Sequence, residues 1–581
     1  MNLGQGPIAL HRARFILRRL RNGRQSPGAT QQRCHPTFMS SRHIQYPVIP
    51  PMRSHRHIHM AILVAALISP RCLAAPVSTR SGLVEGVASG VDGVTVYRGI
   101  PYAAPPVGNL RWRPPQPPAA WEGVRLCDQF GPSCPQPKMT GIYRGADGPT
   151  DEDCLYLNIW TPATSPDGRL PVLVWIHGGG LTIGSGSMRT YHGHNLAARG
   201  AVVVTINYRL GPFGFFPHPA LSAESAHGVS GNYGLLDQVA ALRWVQGNIE
   251  AFGGDPRHVA IFGESGGSQS VLCLMASPLS AGLFRGAIAE SGTPGDGLRV
   301  LRDGTPAAGR GTGESAEEMG VRLAGKLGCT GPDVLAQLRS KTAEELLTGI
   351  NPDVLPGGRG DKFNPVIDGY VLAGDPLAAF AAGEQQDVPL IIGSNGDDGN
   401  VFTDRLPIRS LTGYRVAVRT LFGTSADKVL EYFPADETNV RRVLTRLVTI
   451  SAFIAPARRF ARGMANVDAD VHVYHFTRVS PQAAEKGLGA IHGIEIPYVF
   501  GADMIRALGP TDQALSDTMS ETWIRFAATG DPSGDGLVWP PYDAGEQYIE
   551  FGDTVEVRSQ LYSAECDLFD DIRNARLNER Q

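Results

Sequence analysis

The apolar positions of the chain follow two recurring patterns. Short, β-branched runs at 171–176 (PVLVWI), 201–207 (AVVVTIN), 258–262, 286–289, 388–392 and 471–476 have little polar alternation. Such runs predict strands buried on both faces. Between them, Leu235, Leu236, Val239, Ala240, Leu242, Val245 and Ile249 recur at spacings of three and four. That spacing predicts one apolar face of a helix. Strands alternating with helices predict an α/β fold, a large and mostly parallel central sheet with helices on both sides. The segments 293–355 and 403–457 look helical but lie outside the alternation. They are expected to be insertions capping the sheet. No repeat or low-complexity linker interrupts the pattern, so 75–581 reads as a single domain.

The start of the chain differs. Only 61–68 (AILVAALI) is strongly apolar there, too short to span a bilayer, which takes about 20 residues. Arg53 and Arg56 precede this run, and Cys72-Leu73-Ala74 follows with small residues suited to signal peptidase. Residues 52–74 therefore read as a signal peptide starting at Met52 and cleaved after Ala74. Residues 1–51 read as a basic, disordered leader or an over-extended start. Export implies a secreted or periplasmic protein, and no other segment is long and apolar enough for a membrane helix.

Charge sharpens this division. The first 74 residues carry eleven arginines and no acidic residue, so the rest holds 42 basic against 56 acidic side chains, a net charge of −14. A surface of that sign repels phosphate backbones, which argues against nucleic acid as a partner. Six cysteines remain after the leader: Cys127, Cys134, Cys154, Cys273, Cys329 and Cys566. In an oxidising compartment some are expected to pair. None has zinc-ligand spacing, and neither a metal nor a cofactor is called for.

Candidate chemistry begins at Gly263-Glu264-Ser265-Gly266-Gly267, which follows the 258–262 strand and precedes a helix-competent run from Ser268 to Met275. Gly-x-Ser-x-Gly at a strand-to-helix turn is a nucleophile elbow, its glycines allowing a strained turn that projects the serine hydroxyl. The following helix aims backbone N–H groups at negative charge forming beside Ser265. Upstream, His177-Gly178-Gly179-Gly180 leaves a strand directly. Side-chain-free backbone there can approach a substrate carbonyl as an oxyanion hole. Only His472, His475 and His492 follow Ser265. The first two sit in a strand-like run, whereas His492 lies among small residues in Gly489-Ala490-Ile491-His492-Gly493, making it the candidate base. An acid is expected between nucleophile and base. Asp397 and Asp398, at the exit of the 388–392 strand, both qualify, with Asp398 the first choice.

These motifs and others in order identify the chain as similar to the type-B carboxylesterase/lipase family, which includes para-nitrobenzyl esterases and cholinesterases. The further blocks are Tyr97-Arg98-Gly99-Ile100-Pro101-Tyr102-Ala103, Glu152-Asp153-Cys154-Leu155-Tyr156-Leu157-Asn158, Asn207-Tyr208-Arg209-Leu210-Gly211, Phe252-Gly253-Gly254-Asp255-Pro256 and His492-Gly493-Ile494-Glu495-Ile496-Pro497-Tyr498. The resemblance spans about residues 82–542. It implies an α/β-hydrolase fold with a capped active-site gorge. It also implies a Ser265–His492–Asp398 triad, an oxyanion hole from Gly179, Gly180 and Gly266, a Cys134–Cys154 disulfide and an Arg98–Glu152 ion pair. It selects Asp398 over Asp397.

The chain also departs from the family pattern. Asp398 stands for the usual glutamate, Gly266 for alanine, Leu181 for a frequent aromatic, and Gln337 for a cysteine expected to pair with Cys329. Tyr143 and Arg144 replace the choline-binding tryptophan, which argues against a choline-ester specialist. The expected activity is hydrolysis of a small-molecule carboxylic ester through an acyl-enzyme. The rival readings are a non-catalytic adhesion-type member of the fold, or a hydrolase of amides, carbamates or lactones.

Overall fold

The computed structural model describes residues 75–139, 146, 148–295, 298–302, 313–352, 360–534 and 536–578. The leader, the signal peptide, Tyr143 and Arg144 lie outside the described residues. Those described fall within one compact unit.

Eleven strands form the central sheet: β1 (Val87–Ala88), β2 (Thr95–Pro101), β3 (Tyr156–Thr161), β4 (Leu170–Ile176), β5 (Val202–Ile206), β6 (Gly254–Glu264), β7 (Gly286–Glu290), β8 (Leu390–Asn395), β9 (Val471–Phe476), β10 (Gln547–Phe551) and β11 (Val555–Ser559). Their spatial order is β11-β10-β9-β8-β7-β6-β4-β5-β3-β2-β1. Pairing is parallel from β5 through to β10 and antiparallel at both edges. The six runs read as strands from their apolar pattern all lie in the parallel centre.

Burial on two faces explains those runs. In β4, Val172, Val174 and Ile176 face a core shared with Val239, Leu242 and Val245 of helix α1 (Tyr233–Asn248). Leu173 and Trp175 face a second core containing Trp523 and Phe526. A third core belongs to the helical insertion. There Tyr414 and Val418 meet Leu444, Leu447, Ile450 and Ile454 and the C-terminal Leu568 and Phe569. The insertion after residue 403 therefore folds on its own apolar centre. The other expected helical stretch also holds helices, at Ala316–Lys326, Val334–Ser340 and Ala343–Ile350.

Two expected contacts are corrected. Cys134 and Cys154 form no disulfide, and both are buried free thiols. The neighbouring Cys134 thiol, together with burial, raises the Cys154 thiol pKa well above its usual value. The Cys134 sulfur also accepts the Leu210 N–H at 3.2 Å. The second correction concerns Glu152, which pairs with Arg111 instead of Arg98. Arg111 Nε donates to Glu152 Oε2 at 2.6 Å, and its terminal nitrogen reaches the other oxygen. Arg98, on β2, lies instead beside Asp128, donates to that residue's carbonyl at 3.3 Å and sits over the Phe130 ring. At Cys329 the loop is closed without a bridge. Gln337 Oε1 accepts the Thr330 N–H at 3.1 Å, while its Nε2 donates to the Thr330 carbonyl at 3.0 Å.

Candidate active site

Parallel register brings four strand ends level. Ile176 of β4 pairs with Gly263 of β6, Glu264 with Glu290 of β7, and Glu290 with Gly393 of β8. The crevice outside the carboxyl ends of such strands is where open α/β sheets place ligands.

Ser265 occupies the turn between β6 and helix α2 (Gly266–Met275) at φ 54° and ψ −117°, a conformation that non-glycine residues rarely adopt. The neighbouring glycines are required by close approach. A Cβ on Gly267 would lie 1.9 Å from the Ile176 carbonyl oxygen, and one on Gly263 would lie 2.6 Å from it. The helix begins with two poor helix formers. It is held by Val271, Leu272, Leu274 and Met275, all buried in the core.

The glycine loop meets this elbow. Gly179 and Gly180 have φ of 104° and 57°, and a Cβ on Gly266 would come within 3.0 Å of the Gly180 nitrogen. The loop is braced from behind by Tyr208, whose hydroxyl donates to the His177 carbonyl at 2.7 Å. The His177 ring stacks on Tyr208, and burial pushes its pKa down to about 4, so it sits there as a neutral packing group. Next to Tyr208, Arg209 is locked to Asp237 of α1 by hydrogen bonds of 2.7 Å from both Nε and a terminal nitrogen. Breaking a buried pair of this kind costs about 3–5 kcal/mol. The Asn207-Tyr208-Arg209 block thus acts as scaffold for the glycine loop.

Asp398 and His492 are brought together, and Asp397 is turned to another task. His492 Nδ1 lies 2.8 Å from Asp398 Oδ1, and Asp398 Oδ2 accepts the Asn395 N–H at 2.7 Å. The shorter aspartate therefore still reaches the ring. Asp397 Oδ2 instead accepts the Ala490 N–H at 3.2 Å, and the Asp397 N–H donates to the Ala490 carbonyl, tying the acid loop to the histidine loop. Of the other histidines, His475 on β9 donates from Nδ1 to the Ser394 carbonyl of β8 at 3.1 Å, and His472 lies against Trp539.

The structure adds a residue that the motif alone did not single out. Glu264, beside Ser265, places Oε1 3.2 Å from His492 Nε2, although Nε2 has no partner in hydrogen-bonding geometry. The ring is thus flanked by two carboxylates. Burial lowers the affinity of His492 for a proton, but Glu264 and Asp398 outweigh it and raise the pKa to about 9. Burial in turn raises the Glu264 carboxyl. Behind it, burial raises Glu290 to about 8, and its Oε1 accepts the Trp523 indole N–H at 2.8 Å. Glu495 is also raised by burial, and it accepts from Asn395 and Ser291. Glu264 lies inside the serine motif and Glu495 inside the histidine block. Their signal was a carboxylate carried on each of two segments converging at one turn.

Losing the Glu264 charge should therefore ease deprotonation of His492. In Glu264→Gln the acidic limb of kcat/KM against pH should move down by about 1–3 pH units, the usual effect of one close opposite charge. An unmoved limb would mean that Glu264 does not govern the ring.

A cavity of about 340 Å³ opens over these groups, lined by Gly178 to Gly180, Glu264, Ser265 and His492, with Ile183, Met188, Val401, Phe402 and Ile494 as its apolar wall. Among the described residues, no group of His, Cys, Asp and Glu is arranged to hold a metal ion. No helix among them is long and apolar enough to cross a membrane.

Comparison with known proteins identifies the family. The carboxylesterase family model matches residues 74–569. The chain is 40% identical over 493 residues to a fumonisin B1 esterase of Sphingopyxis macrogoltabida, covering 82% of this chain and 86% of that protein. It is 38% identical over 481 residues to the para-nitrobenzyl esterase of Bacillus subtilis (strain 168), covering 80% and 92%. A solved PNB esterase structure superposes with a TM-score of 0.71 at 34% identity, over 85% of this chain and 99% of that one. The chain thus belongs to the carboxylesterase family, with its α/β-hydrolase fold and its ester-hydrolase activity.

Proposed function

We propose that this enzyme hydrolyses small-molecule carboxylic esters by two-step acyl transfer, with Ser265 as nucleophile, His492 as general base and acid, and Asp398 as the group that orients the imidazole. The observation that carries this reading is the convergence of three segments at one cavity: the strained Ser265 turn, the glycine loop, and His492 held on Asp398.

Asp398 fixes a proton on His492 Nδ1, so that Nε2, once it has released its own proton, is the base. In the resting enzyme Nε2 leans toward Glu264, and substrate binding must bring it to the Ser265 hydroxyl. Catalytic hydrogen bonds commonly tighten only in that complex. The serine oxygen attacks the ester carbonyl as its proton passes to His492. Negative charge on the carbonyl oxygen is met by the N–H groups of Gly179, Gly180 and Gly266, the last at the first turn of α2, where backbone donors have no helical acceptor. His492 protonates the leaving alcohol, and a water activated in the same way releases the acid from Ser265. The apolar wall suits the hydrocarbon part of an ester.

Treatment with a fluorophosphonate probe should label one peptide, the one bearing Ser265, and abolish hydrolysis of p-nitrophenyl butyrate in proportion. Labelling elsewhere, or activity surviving full labelling, overturns the assignment.

A further inference from the structure

We infer that Phe453 is a positioning residue for His492, brought to the ring by a π-turn in the helical insertion. This rests on the role of His492 proposed above.

Helix α3 (Asn400–Thr403) follows the acid loop directly. Against it runs a long helical segment made of α4 (Val440–Thr449), a π-turn (Ile450–Ile454) and α5 (Ala455–Gly463). Within the π-turn, the Ala455 N–H bonds to the Ile450 carbonyl five residues back. The cause lies in the sequence. Pro456 has no N–H, and in a regular α-helix its ring would strike the carbonyl four residues earlier, that of Ala452. One wider turn accommodates the proline without breaking the helix.

The face of this helix that meets the acid loop carries Thr445, Thr449 and Phe453, spaced four apart. Thr449 Oγ1 accepts the Gly399 N–H at 2.9 Å, and the Thr445 and Thr403 hydroxyls are 2.9 Å apart. Phe453 comes next in the row. Its ring centroid lies 5.1 Å from that of His492 at 56°. Phe402 lies 5.1 Å from His492 at 63°, and the two phenyl rings are 5.5 Å apart. Phe402 lines the cavity, whereas Phe453 stands behind it, 9% exposed.

The imidazole needs such a stop. It has one hydrogen bond, from Nδ1 to Asp398, and Nε2 is left without one while Glu264 draws it sideways. A ring held at a single point can pivot about that bond. The Phe453 ring, tilted against the imidazole, and the edge-on Phe402 close off part of that swing and hold Nε2 on the Ser265 side. A shift of 1 Å in a catalytic group can cost about 10²-fold in rate.

The test replaces Phe453 in the full chain with leucine and, separately, with methionine, each of which keeps an apolar side chain there while removing the planar ring. With p-nitrophenyl butyrate, kcat should fall at least about tenfold while KM stays within about twofold, the pattern of an interaction lost in the transition state. The downfield proton NMR signal of the His492 Nδ1–H, assigned by its loss in Asp398→Asn, should broaden or vanish in both variants. A wild-type signal and a wild-type kcat in either folded variant overturn the proposal. So does failure of both to fold, which would make Phe453 a core residue only. If the wild-type enzyme hydrolyses no ester, the proposed reaction fails, yet the resonance still decides whether Phe453 fixes the ring.

Discussion

Ser265→Ala is expected to lower kcat for p-nitrophenyl butyrate by about 10⁴–10⁶-fold, with KM little changed. The substitution removes one oxygen atom and leaves the rest of the cavity in place, so ester binding should persist. Alanine tolerates the positive φ of 54° no better and no worse than serine, and the Ser265 N–H keeps its 2.9 Å bond to the Glu290 carbonyl. Melting should therefore stay within a few degrees of the wild type. Whatever rate survives measures what the glycine loop and binding do without a nucleophile, a contribution of about 10³–10⁴ over water in other serine hydrolases. Retention of a tenth or more of wild-type kcat would show that another group attacks the ester.

The centre of this fold was readable because its strands are buried on both faces. Val172 to Ile176 and Val202 to Ile206 pack into helices above and below, so every position but Thr205 is apolar and the run stands out. The edges were harder to read. β3 carries Asn158, whose side chain is spent on the Gly99 N–H and the Thr205 hydroxyl, and β10 alternates Gln547, Tyr548, Ile549 and Glu550. Polar atoms satisfied by tertiary contacts resemble loop chemistry in one dimension. Ser265 and His492 were legible because the constraints on their loops are local: glycines where a Cβ would collide, and small residues beside the imidazole. The pairing of Glu152 was not. Whether it meets Arg98 or Arg111 depends on where the turn at Gly108–Leu110 delivers Arg111, which also donates to the Leu338 and Lys341 carbonyls more than 200 residues away. Glu264 was hidden for a related reason. Its neighbour Ser265 carries the motif, and only the return of the chain at residue 492 gives the carboxylate something to act on.

Asp398→Asn should cost about 10⁴-fold in kcat, against less than about tenfold for Asp397→Asn. The two residues are adjacent and both carry carboxylates, so the difference must come from what each oxygen touches. Asp398 is fully buried, its Oδ1 on His492 and its Oδ2 on the Asn395 N–H. An amide there can keep only one of these acceptors. If its oxygen stays on Asn395, its NH₂ faces Nδ1 and favours the tautomer with the proton on Nε2, which cannot take one from Ser265. If the amide turns over, the NH₂ opposes the Asn395 N–H in a fully buried site. Either orientation also leaves the imidazolium formed during the reaction without its closest counter-charge apart from Glu264. Asp397→Asn faces no such conflict, because the single acceptor oxygen needed by the Ala490 N–H survives in the amide. The reverse ranking would transfer the orienting role to Asp397. Equal losses would mean instead that the link between the acid loop and the histidine loop matters more than the charge it carries. A pH series separates these outcomes. Loss of the Asp398 charge should lower the His492 pKa and move the acidic limb of kcat/KM down, whereas loosening the loops should reduce the rate at every pH alike.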